Sequence, residues 1–470
     1  DVVYALNRSI DYVETNGAEN GRRQLVAIDT ETTGLEPHKE DFKVIAASVS
    51  VRSDHGLAYL IDHREADYTQ EQRDHILELT KRLKESEHSL TSAANAKFDY
   101  KALAFTYAMD IPFFNVDVLL AEHILDEDKK GEYKLKNLIS DYYPSMGRYE
   151  EELQEEFKKI QELRAKKRKE HYEEYKKELH ESFIRYWLNL TEQERRDKLT
   201  KWVNKGYVPI SQTTDLIEVK TKKYKGEEVI LKKYQDKVVK MLKKIPSEEL
   251  EDIDLPEFTE DVPEVTFEDL PVDVMLKYAA IDALGTYKVS MKQLSQMMDD
   301  NKNISKKFDD MPSLLSSLFE LSMPLCEKLA HIEHNGVRVN RDRMQEYMDT
   351  MDDYMDRYKK EVYKQVGRKF NLSSSSPELS QILFDEMGFE VLRYTDSGAP
   401  ATDHETFKTL YGKHKTEFLK YMMDYRKIEK VRNTYVRNWM KLSEYDGRLH
   451  AQFHQNSTAT YRLSSSSPNL

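Results

Sequence analysis

The sequence has little of what disulfide-bonded, secreted or membrane-spanning proteins contain. Its 470 residues include one cysteine, Cys326, which excludes an internal disulfide and fits a reducing compartment. The mean hydropathy is −0.76, and no apolar run approaches the ~18 residues that a membrane span requires. No basic segment followed by an apolar stretch opens the chain, so a secretory signal is not expected there. We therefore predict a cytoplasmic protein without a membrane partner.

Basic residues are also in the minority, with 72 Lys and Arg against 85 Asp and Glu and a net charge of −13. This balance argues at first against a nucleic-acid-binding protein, which usually carries a basic surface. The charge is unevenly distributed, however. Residues 321–470 contain 23 basic and 21 acidic residues, and residues 426–462 contain 8 and 3. The acidic excess therefore lies in the first 320 residues.

Short apolar runs near the start predict an α/β core. Leu25–Ile28 and Val44–Val49 have the length and composition of buried strands, and the turn-rich stretch Thr32–Pro37 separates them. A helical pattern follows from Glu71 to Lys84, and apolar residues at helical spacing continue through 101–143.

The middle of the chain differs in composition. From about Tyr149 to Lys205, charged residues dominate and apolar residues recur every three or four positions, which predicts long, exposed amphipathic helices. Thr191 and Glu194 have the spacing of a capping box. Two β-rich runs around Lys225-Gly226 predict a hairpin, and an acidic linker containing prolines covers Ser247–Glu264.

The clearest chemical signal is a pair of carboxylates, Asp29 and Glu31, at the end of the first predicted strand. Alternation along a strand places both on one face, where two acids need a counter-charge. A divalent cation supplies one. If the pair stood alone, a solvated strand end would be the simpler interpretation.

Two further pairs accompany it. Asn95 and Asp99 lie four residues apart, as do Tyr278 and Asp282. Positions i and i+4 share a helix face, so the hydroxyl of Tyr278 can lie beside a metal-bound carboxylate of Asp282. Oxygen ligands of this kind suit Mg²⁺ or Mn²⁺. A two-metal site can activate water and stabilise the leaving oxygen of a phosphodiester.

The three pairs together resemble the exonuclease motifs of the DEDD superfamily, in its tyrosine-bearing branch. In order and flanking residues they are most similar to the proofreading domain of family A DNA polymerases, of the bacterial polymerase I type. The resemblance implies a ribonuclease-H-like α/β fold whose first strand carries Asp29 and Glu31. It also implies two Mg²⁺ or Mn²⁺ ions, one held by Asp29, Glu31 and Asp282, the other by Asp29 and, through water, Asp99.

The same resemblance assigns roles to the residues around the metals. Tyr278 and Glu31 would orient the attacking water. Leu35 matches an apolar wedge between the last two bases, and Asn95 and Phe98 match positions that contact the frayed 3′ strand. For Leu35 and Phe98, a place in the apolar core is the alternative.

The second half resembles the beginning of the polymerase domain of the same family. Residues 321–340 are similar to its opening segment, 370–402 to its thumb and 450–470 to the entry of its palm. The positions that this resemblance assigns to DNA contact are Arg426, Lys430, Thr434, Tyr435, Thr458 and Arg462. A solvated helix face is the alternative for the basic residues.

Two departures from the family pattern matter. The family usually has glycine where this chain has Tyr461, and a bulky side chain there would alter the backbone path or crowd the primer beside Arg462. The sequence also stops at Leu470, before the palm carboxylates and the fingers helix of the family. We therefore expect that the chain as given does not synthesise DNA.

The expected domains are an exonuclease domain at 1–300 and the N-terminal part of a polymerase domain, a mostly α-helical thumb and the palm entry, at 301–470. Asp99 and Asp282 are 183 residues apart, more than the family spacing, so we interpret about 145–265 as a helical and hairpin insertion. This insertion is a docking module for a protein partner, a clamp on DNA, or a surface extension without a partner.

The expected function is that of a family A DNA polymerase of DNA replication whose proofreading exonuclease hydrolyses 3′-terminal phosphodiesters of single-stranded or frayed DNA. The insertion, the missing end and the divergence suit a bacteriophage enzyme in the cytoplasm of a bacterial host. Two alternatives stay open at this point. One is an RNA-trimming exonuclease similar to ribonuclease D, and the other is a non-catalytic DNA-binding subunit of a split polymerase.

Overall fold

The computed structural model divides the chain into two compact units. Residues 1–148 and 276–470 form the first unit, and Tyr149–Met275 form the second. The described residues are 2–129, 133–205, 207–210, 214–224, 227–245, 250, 265–304, 313–373 and 376–470.

The first unit begins with an α/β domain built on a five-stranded sheet. Its elements are α1 (Val2–Asn20), β1 (Gln24–Thr32), β2 (Val44–Arg52), β3 (His55–Leu60), α2 (Gln70–Glu85), β4 (Ser89–Ala93), α3 (Ala96–Ala104), β5 (Val116–Asp117), α4 (Val118–Leu125) and α5 (Leu135–Tyr142). The strand order is β3-β2-β1-β4-β5. Strand β1 pairs antiparallel with β2 and parallel with β4. This mixed sheet with helices around it confirms the predicted ribonuclease-H-like class.

Local sequence explains why these segments form. Strand β2 is rich in Val, Ile and Ala and is buried along nearly its whole length. Helix α2 starts at a capping box in which the Thr69 side chain accepts from the backbone of Gln72 and the Gln72 side chain accepts in return. Its residues Leu79 and Leu83 are each 1% exposed, and burying such a side chain contributes about 1.5–3 kcal/mol.

The second unit corresponds in position to the predicted insertion. Its elements are α6 (Glu151–Asn189), α7 (Glu192–Asn204), β6 (Thr221–Tyr224), β7 (Glu227–Ile230) and α8 (Lys232–Leu242). The capping box at Thr191 and Glu194 is confirmed, and β6 and β7 pair antiparallel as a hairpin. The predicted turn Lys225-Gly226 lies outside the described residues, as does the linker Ser247–Glu264 apart from Leu250.

This unit has an apolar core of its own. Trp187 and Trp202 are fully buried and stack with ring centroids 6.1 Å apart. The indole nitrogen of Trp187 donates to the hydroxyl of Tyr234 at 3.2 Å. The prediction of long, exposed helices therefore holds for the first part of α6, whereas its end, from Phe183 onward, packs into this core.

The rest of the first unit is mainly helical. Its elements are α9 (Val272–Ile304, which starts in the second unit), α10 (Leu314–Ser316), α11 (Met323–Asn335), β8 (Val337–Arg338), α12 (Arg341–Val366), α13 (Pro377–Gln381), α14 (His404–His414), α15 (Glu417–Lys430), α16 (Arg437–Leu442), β9 (Arg448–Leu449), β10 (Gln452–His454) and β11 (Ser464–Ser466). π-Helical turns connect several of these, for example Val431–Val436 after α15.

Two apolar clusters hold this part together. Helices α12 to α15 bury Leu379, Phe407 and Met422 in a cluster of their own. Met297 and Cys326, from either side of the predicted boundary at 300, join the core of the α/β domain instead. The boundary between exonuclease and polymerase domains therefore stays a prediction. Among the described helices, none has the length and apolar character that crossing a membrane requires.

We predict that Trp187→Ala unfolds the second unit locally and leaves the first unit folded. Loss of the buried indole costs about 3–5 kcal/mol. Hydrogen–deuterium exchange of the whole chain should show faster exchange in α7 and α8 and unchanged exchange in β1 to β5. Tyr172→Ala, at a side chain of α6 that is 45% exposed, is the control without effect. Faster exchange throughout the α/β sheet would contradict the division into two units.

Candidate active site

The carboxylates of the first and third motifs converge at the end of β1. Asp29 and Glu31 lie opposite Ser48 and Ala46 of β2, and the strand pairing shifts just after Glu31. Helix α9 brings Asp282 to the same place. Carboxylate oxygens of Asp29, Glu31 and Asp282 lie within 4.8 Å of one another. Tyr278 is one helical turn before Asp282, on the same face of α9.

Asp99 reaches this site from α3. It is 2% exposed, and its Oδ1 accepts hydrogen bonds from the backbone nitrogen of Thr30 at 3.0 Å and from the Thr30 hydroxyl at 2.7 Å. The start of α3 is fixed by the carboxylate of Asp117, which accepts from the backbone of Ala96 at 2.7 Å. Asn95 precedes the helix with a left-handed backbone, φ 66°. All four predicted metal-binding acids therefore lie around one strand end.

Burial and mutual repulsion disfavour the charged forms of these acids. Burial raises the pKa of Asp29 well above its usual value, and the charges of Asp99, Glu31 and Asp282 raise it further. Glu31 is shifted upward by the same causes, burial first. Burial raises the pKa of Asp99 to about 7, although the hydrogen bonds from Thr30 act in the opposite direction.

A divalent cation fits this arrangement. The three converging groups offer only carboxylate oxygens, the ligands preferred by Mg²⁺ and Mn²⁺. Oxygens bound to one Mg²⁺ at 2.0–2.1 Å lie up to about 4.2 Å apart, so side chains spaced within 4.8 Å need little movement. Asp29, Glu31 and Asp282 would hold such an ion.

Lys84 is a charged neighbour that sequence reasoning missed. This lysine of α2 is 4% exposed, its Nζ lies 3.3 Å from the ring centroid of Phe114, and no hydrogen-bond partner for it occurs in the described part of the chain. Burial lowers the pKa of Lys84 to about 7, against the attraction of Asp99. A lysine in the last turn of an amphipathic helix predicts a solvated side chain, so no local pattern signals this placement.

The residues predicted to contact the 3′ strand lie together in one cleft. Leu35, Asn95 and Phe98 line one cleft of about 330 Å³, together with β10. Leu35 is 71% exposed, which excludes the alternative of a core position. Phe98 is partly buried and packs edge-on against Phe42 with centroids 6.3 Å apart, so it lines the cleft and also contacts the core.

Helix α3 is held by Glu333 of α11, a contact that the sequence did not predict. The Glu333 carboxylate accepts from Lys97 and Lys101 of α3, each at 2.6 Å, and from the backbone nitrogen of Phe453 at 2.7 Å. Burial acts to raise the pKa of Glu333, but the two lysines bring it below its usual range. The helix that carries Asp99 is thereby tied to the second half of the chain.

The predicted DNA-contacting residues of the second half differ in exposure. Lys430, Thr434 and Arg462 are exposed. Tyr435 is partly buried and packs edge-on against Trp439, and the partly buried Thr458 donates its hydroxyl hydrogen to the carbonyl of Arg462 at 2.9 Å.

Arg426 is half-buried. Its guanidinium donates to the carbonyl of Thr402 at 2.6 Å and lies 4.4 Å from the ring centroid of Phe407. Burial lowers its pKa to about 10. The cation packs against the cluster of α14 and α15 and also lines a pocket between them and α12, so its contact with a DNA phosphate stays a prediction.

Tyr461 adopts the backbone conformation that glycine prefers, with φ 57°. Its hydroxyl donates to the carbonyl of His123 at 3.3 Å, and the two rings lie 4.6 Å apart. The imidazole of His123 in turn bonds the carbonyl of Thr458 at 3.1 Å. The side chain that departs from the family pattern therefore contacts α4 of the α/β domain.

Comparisons with known proteins match both halves of the chain. The family model of the 3′-5′ exonuclease matches residues 13–186, and that of DNA polymerase family A matches 341–470. Neither match includes Tyr278 and Asp282. Asp282 is assigned by its place beside Asp29 and Glu31, and Tyr278 by its position one turn earlier on the same face of α9.

Curated relatives are bacterial DNA polymerases I. Those of Synechocystis sp. and Pseudomonas aeruginosa are each 32% identical over 208 residues, 44% of this chain and 20% and 21% of the relatives. The thermostable enzyme of Thermus filiformis is 35% identical over 153 residues, 32% of this chain and 18% of its own. The matches thus span about a fifth of each relative.

One solved structure supports the fold. The POL domain of Pol1 from M. smegmatis, in complex with DNA primer-template and dNTP, aligns with a TM-score of 0.53. It covers 97% of this chain and 54% of the other, at 16% sequence identity.

We predict that Mg²⁺ raises the melting temperature more at pH 8 than at pH 6. The acids have higher pKa values in the folded protein than in the unfolded chain. Their contribution to the free energy of unfolding is therefore present at low pH, and it is lost as the pH rises through about 7, the pKa of Asp99. Mg²⁺ needs the deprotonated carboxylates and relieves their repulsion. Thermal unfolding with and without Mg²⁺ at both pH values measures this. Equal shifts in melting temperature at the two pH values would contradict this prediction. An unchanged pH dependence of the shift in Asp29→Asn would contradict it as well.

Proposed function

Because the chain belongs to DNA polymerase family A and carries a 3′-5′ exonuclease domain, we propose that it removes nucleotides from the 3′ end of DNA. The observation that carries this proposal is the convergence of Asp29, Glu31 and Asp282 within 4.8 Å. Asp99 lies beside them on α3. These are the acids that the three sequence motifs supply, and they come from separate elements of the fold.

We propose two divalent ions, Mg²⁺ or Mn²⁺, in this site. When bound, they activate water and stabilise the leaving oxygen. Asp29, Glu31 and Asp282 would hold one ion, and Asp29 with Asp99, the latter through water, would serve the second. Tyr278 and Glu31 orient the water for attack on the terminal phosphodiester, so that a nucleoside monophosphate leaves. Thr30 keeps Asp99 in place through its two hydrogen bonds.

The cleft lined by Leu35, Asn95 and Phe98 supports single-stranded or frayed 3′ DNA as the substrate. Leu35 is exposed and apolar at its edge, which suits a wedge between the last two bases. Asn95 and Phe98 would contact the strand as it enters. A wedge between the last two bases requires that the strand end is unpaired. We propose that cleavage is therefore confined to mispaired or single-stranded ends.

We further propose that the second half binds primer-template DNA. The match of residues 341–470 to DNA polymerase family A supports this, as does the exposure of Lys430, Thr434 and Arg462. Lysine and arginine contacts to phosphates position a duplex without reading its sequence. A protein partner at the second unit, a cytoplasmic location and a bacteriophage source stay predictions.

We predict that Asp29→Ala and Asp282→Ala each lower the exonuclease rate at least about a thousandfold, since a catalytic metal contributes several kcal/mol. Tyr278→Phe keeps the ring and removes the hydroxyl, with an expected loss of about a hundredfold. The assay follows shortening of 5′-labelled single-stranded DNA in Mg²⁺. Equal shortening by wild type, Asp29→Ala and Asp282→Ala would contradict the proposal.

The same assay separates DNA from RNA as substrate. A labelled RNA of the same sequence should be shortened more slowly than the DNA. Tyr172→Phe, at a side chain of α6 that is 45% exposed, is the conservative control and should keep the wild-type rate. Faster loss of the RNA would favour the ribonuclease D alternative.

We predict that Asp99→Asn lowers the number of bound Mn²⁺ ions from two to one, because Asp99 serves only the second ion. Isothermal titration at pH 8 counts the ions. The Asp29→Asn variant, which touches both sites, should bind neither tightly. Two ions in Asp99→Asn would contradict the assignment.

A further inference from the structure

The exposed face of α8, in the second unit, is strongly basic. Tyr234, Val238 and Leu242 are buried in the core of the unit. The opposite arc of the helix and the turn that follows it are exposed. They carry six lysines, Lys232, Lys233, Lys237, Lys240, Lys243 and Lys244. One acid, Asp236, lies among them. At 100° per residue, these lysines fall within an arc of about 140°, which we name the α8 lysine face.

Neighbouring acids neutralise only part of this face. Asp215 accepts from Lys237 at 2.7 Å and from Lys220, beside the hairpin, at 3.3 Å. In the described part of the chain, neither Lys233 nor Lys240 forms an ion pair.

Helix α6 of the same unit shows how an ordinary solvated helix differs. Apart from a basic run at 166–169, several of its lysines pair with a glutamate one turn away, as Lys159 does with Glu156 and Lys176 with Glu173. Such pairing gives solubility without a net field. The α8 lysine face, by contrast, has six lysines and one acid, although the chain as a whole is acidic at −13.

We propose that the α8 lysine face binds the DNA backbone. Lysines 233 and 244 lie about 16 Å apart along the helix axis, which is the rise of about five nucleotides of one strand. Lysine is a flexible point charge that contacts phosphates without base specificity. The face therefore holds DNA through counterion release, independently of the sequence and of the exonuclease site.

The test measures binding of a fluorescein-labelled 30-base-pair duplex to the whole chain in EDTA, from 50 to 200 mM salt. We compare wild type with a triple variant, Lys233→Gln, Lys240→Gln and Lys243→Gln. Losing three phosphate contacts should flatten the slope of log K against log salt by about 2 to 3 and weaken binding roughly tenfold at 50 mM salt. The corresponding triple Arg variant keeps the charge and should retain wild-type binding.

The matched control changes the same number of lysines on α6, at paired positions, as Lys158→Gln, Lys159→Gln and Lys176→Gln. This control should keep at least half of the wild-type affinity and its salt slope. An unchanged slope in the α8 variant would overturn the proposal and favour an acidic protein as the partner of this face. Equal losses in both triple Gln variants would also overturn it, because the effect would then come from total charge. Binding in EDTA involves no catalysis, so failure here is distinguishable from failure of the exonuclease proposal.

Discussion

Four carboxylates share one buried strand end, and their mutual repulsion is the constraint on which the rest of the site depends. Burial raises the pKa values of Asp29, Glu31 and Asp99, and the charges of Asp99 and Asp282 raise those of Asp29 and Glu31 further. A cluster of this kind costs folding free energy unless a cation joins it. The scaffold therefore has to supply rigidity on every side, because the acids themselves favour separation.

The fold supplies that rigidity from distant parts of the chain. Strand β1 lies at the centre of the sheet, where Gln24–Ala27 pair with β4. The following residues, including Asp29 and Glu31, pair with β2, which limits their freedom. Thr30 fixes Asp99, and Glu333 fixes α3 through two lysines. The exonuclease site is thus braced by the segment that resembles the start of a polymerase domain. This explains why the two parts form one compact unit.

Local spacing was enough to predict what lies within one strand or one helix. A period of two predicts that Asp29 and Glu31 share a strand face, and a spacing of four predicts that Tyr278 and Asp282 share a helix face. The resemblance of the three pairs to the motifs of a known family implied the fold. What the sequence could not reveal depends on contacts between distant residues. The burial of Lys84 and the inward guanidinium of Arg426 arise from tertiary packing that no local pattern encodes. The core around Trp187 was missed for the same reason, since charged residues dominate its surroundings.

The most direct test of the two-ion site is an anomalous-diffraction experiment on crystals of the chain grown with Mn²⁺ and thymidine 5′-monophosphate at pH 8. We expect an Mn²⁺ peak within about 2.3 Å of oxygens of Asp29, Glu31 and Asp282, and a second peak between Asp29 and Asp99. The nucleotide phosphate should touch both ions. Absence of any Mn²⁺ peak among these four acids, at saturating metal, would contradict the assignment of the acids as a metal site.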